Sequence, residues 1–254
     1  MEVHHHSHTA RKKWAHYFWE FFMLFLAVTL GFFVENQREH YIEHQRAKVY
    51  AKGMINNLNT DGEELSQIIY RSEFAVNYLD TFLALISTDE ISNIPTGKLY
   101  WYGLWGGFIR GFESNDATYQ QMRNSGSLRY FNNAKLEEEI ARYDQVVRSM
   151  RILNEIDRLI YLETRKARAM IFDFKYNLQA NEVVQSAVYN GFKPAVVDSF
   201  MQINPPLLST DKLQFNQYAE LCRSRNIRPQ LKNAHDALKL ANSIIELLIK
   251  EYHL

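Results

Sequence analysis

The side chains best equipped for chemistry are the histidines, and seven of the nine fall within the first 44 positions. His4, His5, His6 and His8 carry imidazole nitrogens of the kind that bind transition metals. A short polar tail, however, supplies no neighbours to fix ligand geometry. A protonatable patch near lipid headgroups, or a segment that docks on a partner, is therefore expected ahead of a metal site. His40, Tyr41, Ile42, Glu43 and His44 match the H-x-x-E-H pattern of inverted zinc peptidases, where two imidazoles one turn apart hold zinc and the glutamate activates water. Such a site needs a third ligand in an enclosed cleft. This pair instead sits among Glu35, Arg38, Glu39, Arg46 and Lys48, a run of solvated charge, and no peptidase is expected. Nowhere can a nucleophile–base pair, a phosphate loop or a complete metal constellation be assembled, so the expectation is a non-enzymatic chain without a cofactor.

Three further groups suit binding better than catalysis. Glu20 lies about 9 Å along the helix from the middle of an apolar run, deep enough for a carboxylate to need a partner, neutralisation or the interface. Nearby Gly31 lets a second helix approach closely. Trp101, Trp105, Phe108 and Phe112 alternate with four glycines and suit either a ligand pocket or, more commonly, the cap of a bundle. Asn154 and Asp157 place polar groups on a helix seam, where such residues usually set register.

The elements that carry these residues are helices. Phe21 to Val34 has no charge and is apolar on every face, so it must be buried all round. Extended to Tyr17 and Asn36 it reaches the roughly 20 residues that cross a hydrocarbon core, with Trp14, Tyr17 and Trp19 as an interfacial aromatic belt. Arg11, Lys12 and Lys13 precede the span, which puts the N-terminus in the cytoplasm by the positive-inside rule. The expected organisation is a tail over 1–13, a transmembrane helix over 14–36 in the inner membrane, and an extracytoplasmic, periplasmic domain over 37–254.

Beyond the span the first helix is expected to run to about Ser87, past Gly53 and Gly62. Its seam is Leu58, Leu65, Leu79 and Ile86 with Ile69, Val76 and Leu83, interrupted by Ser72. An insert over 93–133 follows, including a short helix capped at Asn115 or Asp116 and stopped by a left-handed Gly126. A second long helix is predicted from about Ala134 to Tyr176, buried through Leu136, Ile140, Tyr143, Val147 and Met150. A connector over 177–210 holds one short helix near Glu182 to Tyr189 and stops at Pro205-Pro206. The last helix starts near Asp211 with a kink or break at Pro229. Its seam pairs Leu231, Leu238, Ile245 and Tyr252 with Ala234, Ala241 and Leu248. The class is all-α: an N-terminal transmembrane helix continuing into an elongated antiparallel bundle of three long helices with short ones between.

Both ends of the chain carry a family signature. MEVHHH, the basic stretch, LAVTLGFFVEN and REH at Arg38 to His40 resemble a family of uncharacterised bacterial single-pass membrane proteins. So do Thr118, Gln121, Ser125-Gly126 and Leu128 in TYQQMRNSGSLRYF, and KEYHL at Lys250 to Leu254. The resemblance implies a membrane-anchored helical protein and transfers no functional residue.

Bulk composition narrows the partners. Lys plus Arg and Asp plus Glu both number 29, which leaves no cationic surplus for nucleic acid. Ten glycines and five prolines are too few for a many-stranded sandwich. The single cysteine, Cys222, excludes an intrachain disulfide. Expected partners are the bilayer and either other membrane-protein subunits or a second copy of the chain. The leading expectation is an interaction or scaffold module, an accessory subunit of a cell-envelope complex. The alternative is an extracytoplasmic ligand-sensing bundle, which would signal through another protein because only about thirteen residues remain inside.

Overall fold

The structure, a computed structural model, describes residues 14–88, 90–108, 111–190 and 194–254. Among these the secondary structure is helical, apart from one isolated antiparallel bridge between Phe172 and Leu207. The helices are α1 (Trp14–Thr88), α2 (Thr96–Leu104), α3 (Ala117–Ser125), α4 (Ala134–Ala169), α5 (Phe174–Asn190), α6 (Pro194–Gln202), α7 (Lys212–Arg223) and α8 (Ile227–Tyr252). The chain forms two compact units, one up to Tyr50 and one from Ala51 onward.

In the first unit, α1 carries the apolar run with its side chains exposed. An 18-residue window there averages 1.9 in hydropathy, and none of it is buried within the chain. Length and composition are those of a helix that crosses a bilayer, and a membrane anchor is compatible with both.

In the second unit α1 continues over residues 51–88 and supplies one wall of a helical bundle. Its buried face is Ala51, Leu58, Leu65, Ser72, Leu79 and Ile86, with Met54, Asp61, Ile68, Ala75 and Phe82 between them. Both series step by seven, the spacing that keeps one face of a helix against its neighbours. The first matches the expected seam, Ser72 included. In the second, Ile69 is buried as expected, but Ile68, Ala75 and Phe82 fill the core one residue earlier, while Val76 and Leu83 flank it half-buried. The same slip occurs in α8. Ala234, Ala241, Leu248 and Tyr252 are buried as expected, but Gln230, Ala237 and Ile244 take the places expected of Leu231, Leu238 and Ile245. A polar residue and an alanine stand in the true series each time, and an apolar count passes over them.

α4 packs along α8 and α7, and α2 against α5 and α6. Contacts between α4 and α8 run from Asn133 with Glu251 at one end to Asp157 with Arg225 at the other, so the two are antiparallel. All five expected residues of the α4 face, Leu136 through Met150, are buried. Asn133 caps the helix by accepting from the Leu136 amide at 3.1 Å.

Three boundaries differ from expectation. α4 stops at Ala169, short of Tyr176, because Ile171 and Phe172 turn into the core. Asp173 then starts α5, accepting from the Lys175 amide at 2.8 Å. The connector holds two helices, α5 and α6, in place of one. The last helix breaks at residues 224–226, upstream of Pro229. That proline sits in the first turn of α8, where its missing N–H costs nothing.

Candidate functional site

The most organised polar site is built on Asp61, a carboxylate only 2% exposed at a seam position of α1. Burial of a charge is costly unless its oxygens are satisfied. Here three donors meet it. The Asn115 amide donates to Oδ1 at 2.7 Å, while the Ser114 and Tyr143 hydroxyls donate to Oδ2 at 2.6 and 2.5 Å. One turn earlier on α1, Asn57 accepts from the Thr118 amide at 3.3 Å. The N-terminus of α3 is thus capped from α1. Asp116 occupies its cap position without capping, and its carboxylate accepts from Gln120 at 3.0 Å instead. Gly53 permits this closeness, since a Cβ there would stand 2.9 Å from the Thr118 hydroxyl. At the other end of α3, Gly126 adopts the left-handed conformation (φ 69°) expected of it.

Beside Asp61 lies a cavity of about 100 Å³ between α1, α3, α4 and α8. Met54, Leu58, Ile140, Val147 and Ile244 form its apolar walls, and Tyr119, Arg123, Asp144, Arg148 and Arg151 its polar ones. Burial, and then the charge of Asp61, push the Tyr143 phenol far above its usual range, so it is a fixed donor. Tyr119 is also raised, by burial and then by the facing Asp144.

A second buried centre joins α4 to the segment between α7 and α8. Both Arg225 and Asp157 are shielded, and the guanidinium grips the carboxylate through Nε at 2.8 Å and one amino group at 2.7 Å. Asp157 also accepts from the Asn226 amide at 2.9 Å. Arg225 further donates to the Gly106 and Phe108 carbonyls and lies over the Tyr161 ring. Every polar edge of the pair is used, which describes a structural clasp on the aromatic insert. Cys222, one turn before it, is buried, and burial pushes its thiol up to about 12.

The residues singled out from the sequence fall as follows. His4, His5, His6 and His8 lie outside the described residues. His40 faces Glu43 at 3.8 Å in an exposed pair. Among the described residues no group of three or more His, Cys, Asp or Glu is gathered for a metal. Glu20 meets His16 one turn earlier at 3.0 Å, and a side chain at Gly31 would meet nothing within 4 Å. Trp101, Trp105 and Phe112 are buried and Phe108 half-buried. Trp101 and Trp105 pack edge-on at 6.2 Å, with Tyr78 against both. Asn154 accepts from Gln230 of α8 at 2.7 Å, a contact that fixes the pairing of the two helices.

Sequence reading missed Asp61, Asn57, Ser114 and Arg225. The available signal was an acid in register with Met54 and Ile68, opposite a Ser-Asn-Asp run that also had to start a helix. No protein-family model, curated protein or solved structure matches this chain.

Proposed function

We propose that the chain is a membrane-anchored interaction module, with its N-terminus in the cytoplasm and its bundle on the far side of the inner membrane, docking other membrane-protein subunits. The observation that supports this most is an uncovered apolar stripe on α4. Ile152, Ile156 and Leu159 are 62%, 46% and 69% exposed, and their spacing puts them on one face, opposite the buried one. Water-facing isoleucine and leucine at helical spacing suit a partner surface. The exposed apolar run of α1 and the resemblance at both ends support the anchor. The His-rich tail and Glu20 are further contact points in this reading.

Purification of the full chain in mild detergent tests it. A stoichiometric membrane partner should co-purify, and Ile156→Glu with Leu159→Glu should remove most of it while leaving the helical signal intact. A monodisperse chain without a partner, or a partner indifferent to the double substitution, contradicts the proposal.

A further inference from the structure

The cavity beside Asp61 has hydrogen-bonding capacity that the docking role does not use. Its volume of about 100 Å³ equals roughly three waters at their share of liquid volume, or one small organic molecule of similar bulk. The acids around it are committed. Asp61 accepts three hydrogen bonds, Asp116 accepts from Gln120, and Asp144 pairs with Arg148 at 3.3 Å. Two of the cations are not. Arg123 of α3 and Arg151 of α4 line the same cavity, are exposed, and carry no ion pair among the described residues. The lining holds three carboxylates and three guanidiniums and so carries no net charge; what is left over is hydrogen-bonding capacity, in the Arg123 and Arg151 guanidiniums beside an apolar wall of Leu58, Ile140 and Val147.

We propose that this cavity binds a short-chain carboxylate, its carboxyl group held by Arg123 and Arg151 and its alkyl part resting on Leu58, Ile140 and Val147. Guanidinium matches a planar carboxylate through paired N–H donors, and an apolar wall rewards a hydrocarbon tail that inorganic phosphate lacks. A free ammonium would compete with the donors already on Asp61, Asp116 and Asp144. Binding would fasten α3 to α4 across α1, so ligand occupancy would be felt by the helix that continues from the anchor. The site uses residues other than those of the α4 stripe and does not depend on the docking proposal.

The test is calorimetric titration of the full chain in detergent micelles with propionate and butyrate, set against propylamine, alanine and inorganic phosphate. Propionate or butyrate should bind saturably and raise the melting temperature. Arg123→Gln with Arg151→Gln should weaken binding by at least about tenfold, and because both side chains are exposed it should leave the unliganded melting temperature unchanged. Absence of saturable carboxylate binding up to about 10 mM, equal affinity in the double variant, or tighter binding of propylamine, alanine or phosphate would overturn it.

Discussion

At the scale of single residues, Asp61 shows how a buried charge becomes a structural instruction. Its three donors come from two segments, the approach to α3 and the middle of α4, so one carboxylate ties both to α1. Asp61→Ala would orphan those donors and should cost about 3–5 kcal/mol. Tyr143→Phe removes one donor of three and should cost about 1–2 kcal/mol. Chemical denaturation of the two variants checks the order. Titration gives a second expectation. Tyr143 and Tyr218 hold their protons far above the usual tyrosine range through burial, and burial with the neighbouring Glu251 raises Tyr252 to about 12. The unfolded chain sheds those protons near pH 10, while the folded one keeps them. Stability should therefore begin to fall as pH rises past about 8.5, where the unfolded chain sheds the Cys222 proton that burial holds up to about 12, and fall more steeply past about 10 as the tyrosines follow. Melting temperatures from pH 8 to 11 measure this, and Tyr143→Phe should make the fall shallower.

At the scale of elements, helices pair through seams that mix small and polar residues with large apolar ones. The Arg225–Asp157 clasp fixes where α7 gives way to α8 and holds the Gly106 and Phe108 carbonyls against that junction. Asp157→Ala leaves a guanidinium buried without its counter-charge and should cost about 3–5 kcal/mol. For a domain of this size that is a melting-temperature drop of roughly 10 °C. The long helices were legible in the sequence, whereas α2 and the division of the connector into α5 and α6 were not. Helix-wide periodicity gave α1, α4 and the C-terminal α8, and Gly126 gave the end of α3. What escaped was whatever depends on a distant partner. The seams of α1 and α8 were each displaced in one series, because Asp61, Ala75, Gln230 and Ala237 do not register as core until their neighbours are known. The end of α4 escaped because Ile171 and Phe172 leave the helix to fill a core that α2 and α7 help to form. The start of α3 falls where its own Asn115 or Asp116 was expected to cap it, but Asn57 of α1 does the capping and Asp61 holds the residue before the cap. The cavity lay beyond reach for the same reason, since four helices contribute to it.

At the scale of the whole molecule, one helix bears both an apolar run and a bundle seam, so α1 belongs to two environments. Its first part has the length and hydropathy of a span, and its second part is the wall on which Asp61, the cavity and α3 are organised. A membrane anchor is compatible with an apolar run that stays unburied among the described residues. Cysteine labelling reads the topology directly, because the native Cys222 is buried with its thiol raised to about 12 and stays silent toward maleimides. Ser7→Cys, which keeps the basic cluster, and the exposed Lys166→Cys, each in the full chain in intact spheroplasts, would be treated with a membrane-impermeant maleimide. Lys166→Cys should label at once and Ser7→Cys only after lysis. The reverse pattern, or a chain that partitions to the soluble fraction, would contradict it.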